Sequence, residues 1–447
     1  MGASDFAELK KQYERLDKGK EVFLDVHGHE IDYPLMWANE IKNAGGEMRR
    51  LYLLFPMPFA PLVSDALREV FPNIHPYSIL HITSLTVRQV LSGVYVCDDG
   101  VYADITTGLY FYTVFLYFDA KRYNGDSLRA RIHNKVVERG RGAFINLTPS
   151  NSDVYGSTQS EEGDDGGSGA HDVGGAQINF HFPSRIFPFD DFLSHYPQQI
   201  QSALKRIMLL VENVCSAPNQ RVHFSAVLAG VPGTGKSMFA GYAIEKALQL
   251  GATVIYANNP SGNELVKNTM EFALYTFPAV VFVFDEGDAV VVDREIMTTA
   301  TLPYIVQLLD GYIIDERRAS FGLIITTNRP HNIDAAFLRP VRLDEFVEFG
   351  ALTDPTLAYN VFNAWCQKLG VVLPDGVQIK WFEGKTHAEC AAVAMKLKRM
   401  QMLQPSLRAP ITANTVKELL NEGSAWVNPK KIKGVGKGRS EGIGFGD

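Results

Sequence analysis

The chain has 447 residues, 46% hydrophobic and 21% charged, with a formal net charge of −7 and a pI near 5.9. These values suit a folded protein of two or three domains and argue against bulk electrostatic attraction to nucleic acid or an anionic membrane. The four cysteines (Cys97, Cys215, Cys366, Cys390) have neither C-x-x-C pairing nor metal-ligand spacing, which fits buried thiols in a reducing compartment.

Residues 1–150 predict an α+β domain that resembles no known family. Residues 4–13 begin a helix with an apolar stripe of Phe6, Leu9, Tyr13 and Leu16. That start has neither the cationic opening nor the apolar core of a secretory signal, so a soluble, cytoplasmic protein is expected. Strand-like runs follow at 22–26, 51–55, 93–97 and 110–117. The longest apolar run, between Asp104 and Asp119, is too short for the ~20 residues of a membrane span, and its Thr, Tyr, Phe and Val content favours strands. Arg129, Arg131, Lys135, Arg139 and Arg141 form a basic cluster. It reads either as a solvated face or as a surface for nucleic acid or an acidic partner.

Residues 151–176 are rich in Gly, Ser and Asp, which predicts a flexible linker, or an insertion if the alternating segment 177–182 pairs back as a strand. The residues that carry chemistry come next. Gly230, Val231, Pro232, Gly233, Thr234, Gly235, Lys236 and Ser237 spell G-x-x-x-x-G-K-S between an apolar run and a helical segment that opens with Met238. In that strand–loop–helix setting the glycines let backbone N–H groups wrap a phosphate chain. Lys236 would reach the β- and γ-phosphates of ATP, and the Ser237 hydroxyl would bind Mg²⁺. A second buried strand, 279–284, ends in Asp285 and Glu286, at the strand end where open α/β sheets bind ligands. Asp285 would complete the Mg²⁺ shell, and Glu286 would act as general base on the attacking water.

A third strand runs into Thr326-Thr327-Asn328-Arg329-Pro330, which places Asn328 to orient water or touch the γ-phosphate. Asp334-Ala-Ala-Phe-Leu-Arg339-Pro340-Val341-Arg342-Leu343-Asp344 follows. With these residues the chain resembles the AAA family of ATPases, part of the AAA+ superfamily of P-loop NTPases. The resemblance runs from about residue 186 to 404, with three motifs in the family's order. It implies an α/β fold in which a parallel sheet is sandwiched by helices and followed by a helical lid over the adenine. It also implies that Asn328 is the sensor-1 residue, and that Arg339 and Arg342 are arginine fingers acting on the nucleotide of a neighbouring subunit. An arginine supplied in trans is worth ~10³–10⁵ in rate and requires a homo-oligomer, here a hexameric or similar ring.

The predicted layout is therefore an N-terminal domain (1–150) that selects a substrate or adaptor, a linker (151–176), a large ATPase subdomain (177–352), a helical lid (353–425) and a basic tail (426–447). A short helix is expected at 334–338. Thr386 and Glu389 form a capping box that opens the lid helix 390–400. Three departures from the family stand out. Val231 replaces the usual proline. No aromatic–hydrophobic–glycine pore triplet occurs between residues 258 and 273, which argues against hand-over-hand threading. No sensor-2 arginine is found; His387 stands where the family carries a small residue. Two functions stay open: an ATP-driven ring that remodels or translocates a protein, and an ATPase that serves nucleic acid as a loader or a replication or repair factor.

Overall fold

The computed structural model describes residues 23–24, 30–31, 33–76, 90–91, 93–107, 111–147, 187–260, 264–291, 301–310, 319–403 and 411–427. The helix expected from residue 4, the linker, the strand at 177–182 and the tail beyond residue 427 lie outside them.

The N-terminal part comprises β1 (Phe23–Leu24), β2 (Glu30–Ile31), α1 (Tyr33–Asn43), β3 (Met48–Pro56), α2 (Ala60–Val70), β4 (His75–Pro76), β5 (Gly93–Asp98), β6 (Val101–Thr107), β7 (Phe111–Asp119) and α3 (Gly125–Gly140). Strands β3 to β7 form an antiparallel sheet in the order β3-β7-β6-β5-β4. Alternation along β6 and β7 sends Val101, Ala103, Ile105, Tyr112, Val114 and Leu116 to one face, where α2 and α3 cover them. On the other face Trp37 of α1 stacks on Tyr102, ring centroids 5.1 Å apart. The Asn124 side chain accepts from the N–H groups of Asp126 and Ser127 and so starts α3.

The basic cluster lies on α3 and just past its end; four of its five side chains are exposed, and three are tied to α2. Arg131 donates to the Val70 carbonyl at 3.0 Å, Lys135 pairs with Glu69 at 3.3 Å, and Arg139 also pairs with Glu69. Acids of α2 thus compensate this face, which favours the solvated-face reading over a nucleic-acid surface.

The second part opens with β8 (Phe144–Asn146), α4 (Phe189–Ser194), α5 (Gln198–Ser216), β9 (His223–Gly230), α6 (Lys236–Gln249), β10 (Thr253–Asn258) and α7 (Glu264–Thr276). It continues with β11 (Ala279–Asp285), α8 (Asp288–Val291), α9 (Thr301–Leu309), β12 (Ser320–Thr327) and β13 (Glu345–Phe349), then α10 (Pro355–Leu369), α11 (His387–Leu403) and α12 (Ala413–Val427). Six parallel strands lie in the order β13-β9-β12-β11-β10-β8.

Every residue of β11 and β12 is buried, as expected of parallel strands covered on both sides. Alternation divides their side chains between two cores. Val281, Val283 and Ile324 pack with α5, α6 and the C-terminal helices, whereas Phe282, Phe284, Leu323 and Ile325 pack with α7 and α9. At the head of α11 the Thr386 N–H donates to Glu389 Oε2 at 2.7 Å and the Glu389 N–H to Thr386 Oγ1 at 3.2 Å, a reciprocal capping box.

Two expectations are corrected. The boundary at residue 150 does not hold, because β8 precedes it and extends the parallel sheet beside β10. A three-residue strand carries no periodicity, and its pairing partner lies far along the chain, so no local signal marks it. The helix expected at 334–338 is a series of turns, in which Asp334 Oδ1 accepts from the Ala336 N–H at 2.7 Å and Pro340 stops helical continuation.

The two parts share one core. Phe55 and Phe59, at the end of β3 and just beyond it, meet Phe272 of α7 with centroids 5.8 and 4.6 Å apart. At the end of α3, a side chain at Gly140 would place its Cβ 2.1 Å from the Phe277 ring, and the Gly140 carbonyl accepts from Thr253 Oγ1 at 2.7 Å. The four cysteines are all buried, and burial pushes the Cys215 thiol up to about 11 and those of Cys366 and Cys390 to about 12, as inert core thiols require. Among the described residues no helix is long and apolar enough to cross a membrane.

Candidate active site

The site lies at the C-terminal ends of β9, β11 and β12. Strand β9 ends at Gly230, whose φ of 139° favours glycine; a Cβ there would lie 1.9 Å from the Phe349 carbonyl oxygen in β13. We expect Gly230→Ala to cost on the order of 3 kcal/mol, through overpacking and left-handed strain, in chemical denaturation. The chain then turns through Val231, Pro232, Gly233 and Thr234 to Gly235, at φ 99° the residue before α6. The Tyr196 hydroxyl fixes this turn by donating to the Thr234 carbonyl at 2.8 Å.

Lys236 begins α6 and is buried. Its Nζ donates to the carbonyls of Gly230 (2.8 Å) and Val231 (2.9 Å). Burial pulls this ammonium below the ordinary lysine range, and the nearby carboxylates of Asp285, Glu286 and Asp288 oppose that shift. The next residue reaches across to β11: Ser237 Oγ donates to Asp285 Oδ1 at 2.8 Å. Thr326 Oγ1 donates to the same oxygen at 2.6 Å and accepts from the Glu286 N–H at 2.8 Å. Thr326 therefore locks the two acids in register with β12, although only its place at a strand end hinted at this in the sequence.

Glu286 has φ 51°, a left-handed conformation uncommon for a non-glycine residue and of the kind that collects at functional sites. Asn328 Nδ2 stands 3.5 Å from its Oε1. Asp285 and Glu286, adjacent in sequence, thus have different surroundings. Asp285 is buried among hydroxyl donors, and Glu286 is exposed.

A cavity of about 280 Å³ connects these groups to the C-terminal helices. At one end Gly233, Gly235, Lys236, Ser237, Glu286 and Asn328 line it, with Pro232 and Met238 beside them. The other end is aromatic and apolar, formed by Phe187, Phe192, His195, Trp365, His387, Ala388 and Ala391. Sequence reading did not assign these residues to a site. They come from distant segments and look like core positions, and only the capping box at Thr386 hinted that α11 starts beside the loop. The Ala388 N–H donates to the Gly233 carbonyl at 2.9 Å, so the head of α11 rests directly on the glycine-rich turn.

Arg339 and Arg342 are not among the residues lining this cavity. Arg339 is exposed. Arg342 is buried: its Nε and Nη2 donate to the two carboxylate oxygens of Asp310 at 2.5 and 2.6 Å, and its Nη1 donates to the Ala336 carbonyl. This bidentate bond holds the Asp310 carboxyl below the usual carboxylate range. The two arginines of one motif therefore have different standing within the subunit.

Chemically, the cavity joins a turn of backbone amides at a helix N-terminus, an ammonium, a hydroxyl–carboxylate pair and a second carboxylate to an apolar slot. That is a cradle for a polyphosphate attached to a flat apolar group. The family model for the "ATPase family associated with various cellular activities (AAA)" matches residues 226–351. The chain is 32% identical over 134 residues to the proteasome-activating nucleotidase of Methanothermobacter thermautotrophicus, a match covering 27% of this chain and 32% of that protein. It is 29% identical over 184 residues to the nucleotidase of the same name from Methanospirillum hungatei (38% and 43%). It is also 32% identical over 169 residues to the 26S proteasome regulatory subunit 6B homolog of Encephalitozoon cuniculi (34% and 41%). The chain thus spans less than half the length of the curated relatives it matches.

Proposed function

Because the chain belongs to the AAA family of ATPases, we propose that it binds Mg-ATP in the cavity at the ends of β9, β11 and β12 and hydrolyses the γ-phosphate. The observation that carries this reading is the convergence of three separate elements beside Lys236, with Ser237 bonded to Asp285 and Asn328 Nδ2 3.5 Å from Glu286 Oε1. The turn 230–235 presents backbone amides to the phosphates. Lys236, held by two carbonyls that a phosphate would outcompete, turns outward to the β- and γ-oxygens. A hydroxyl paired with a carboxylate is a hard oxygen donor set that fits Mg²⁺, so Ser237 and Asp285 are the residues that would hold it. When bound, that ion neutralises charge on the phosphate oxygens. Glu286 takes the proton of the attacking water, and Asn328 orients that water or the γ-phosphate. The aromatic slot receives the adenine, and Val231 and Thr234 shape the loop behind the phosphates.

We further propose a homo-oligomeric ring, in which Arg339 of each subunit completes the neighbour's site while Asp310 holds Arg342 in place behind it. The names of the relatives, a proteasome-activating nucleotidase and a 26S proteasome regulatory subunit, favour a protein as the object remodelled or translocated. So does the acidic compensation of the basic cluster on α3. The absence of an aromatic pore triplet between residues 258 and 273 argues for handling without aromatic pore-loop threading. Because the N-terminal part shares a core with α7, we assign it to the presentation of that substrate as a fixed platform rather than a swinging adaptor.

Lys236→Ala tests the nucleotide reading. Removing a charged donor to the phosphates is expected to weaken ATP binding by at least about tenfold, read by equilibrium titration. Unchanged affinity would place the phosphates elsewhere.

A further inference from the structure

His387, at the first position of α11, borders both the glycine-rich turn and the aromatic slot. It is nine-tenths buried, and neither ring nitrogen has a hydrogen-bond partner among the described residues. The ring is nonetheless fixed in orientation. It stacks on Tyr196 with centroids 4.4 Å apart and planes 23° apart, and Tyr196 is itself anchored to the Thr234 carbonyl. Stacking on Tyr196 covers one face of the imidazole and holds the ring in place. Buried polar atoms in proteins are almost always satisfied, so two unpaired nitrogens on a residue that lines a ligand cavity point to a ligand that supplies a partner. Burial, reinforced by His195 nearby (centroids 6.0 Å apart), lowers the pKa of this imidazole to about 3. It therefore keeps one accepting and one donating nitrogen at neutral pH.

We propose that His387 reads the base of the bound nucleotide, its unprotonated ring nitrogen accepting a hydrogen bond from the 6-amino group of adenine. This contact rests on the ATP reading above. The chemistry narrows it, because the 6-amino group is the one N–H donor on the base of ATP, so a nitrogen that accepts from the base has no other choice.

The test compares ATP with purine riboside triphosphate, which lacks only the 6-amino group, by equilibrium titration in EDTA so that no turnover intervenes. Wild-type protein is expected to prefer ATP by about tenfold, the worth of one buried hydrogen bond. His387→Phe keeps the stacked ring without the nitrogens and is expected to bind the two triphosphates equally. His387→Asn or His387→Gln, which return an acceptor near one nitrogen or the other, should recover part of the preference. Equal binding of both triphosphates by wild-type protein overturns the contact even if the variants fail to fold, and so does an undiminished preference in His387→Phe. Failure of the ATP reading itself looks different: wild type then binds neither triphosphate and is indistinguishable from Lys236→Ala.

Discussion

Glu286→Gln protein is expected to bind ATP as tightly as wild type while hydrolysing it about 10²–10⁴-fold more slowly, the usual contribution of a positioned general base. The amide keeps the size of the carboxylate and can still accept from Asn328 Nδ2, so the geometry at the ends of β11 and β12 survives. What is lost is the basic oxygen. The neighbouring acid makes this assignment specific. Asp285 is already engaged by Ser237, Thr326 and Tyr256, whereas Glu286 is an exposed left-handed residue that lines the cavity beside Lys236. Steady-state phosphate release paired with equilibrium binding separates the two effects. Hydrolysis at the wild-type rate would remove Glu286 from the role of base.

Arg339→Ala is expected to have an effect of similar size for a different reason. An arginine acting on the neighbour's transferring phosphoryl group is worth ~10³–10⁵ in rate. Arg339 is exposed and lies outside its own subunit's cavity, so its loss should spare folding and ATP affinity. Arg342 is a poorer probe, because removing it also leaves the half-buried Asp310 carboxylate and the Ala336 carbonyl without their donor. Mixing settles where Arg339 acts. Arg339→Ala subunits retain Glu286 and Glu286→Gln subunits retain Arg339, so mixed assemblies contain complete sites at some interfaces. Phosphate release regained on mixing two inactive proteins is the expected result. No recovery in verified mixed assemblies would mean that Arg339 does not complete a neighbour's site.

The polar end of the cavity was legible in the sequence because its signals are local. Gly230 to Ser237 is one turn, Asp285 and Glu286 close one apolar run, and Asn328 closes another; such strand-end residues carry their own signal. The parallel strands were legible for the same reason, since 279–284 and 321–326 are continuous runs of β-branched and aromatic residues. The slot opposite was not. Phe187, Trp365 and His387 come from three segments, and an aromatic residue on a helix reads as core until the fold sets it beside a cavity. Strand β8 and the shared core escaped for a related reason. Nothing near Phe144 announces that its partner is Val254, and nothing near Phe59 announces Phe272. The glycine at 140 was a faint signal of close approach, explained only by the ring of Phe277 against it. The paired state of Arg342 was likewise hidden, because Asp310 lies 32 positions away.

The central claim is that this cavity turns over ATP. The most direct measurement is steady-state phosphate release by purified wild-type protein with ATP and Mg²⁺, compared with Lys236→Ala prepared identically. We predict ATP-dependent release by wild type that falls by at least about tenfold in Lys236→Ala at subsaturating ATP, where loss of affinity is felt directly. Release that is absent from folded wild-type protein, or equal in the two, would contradict the account.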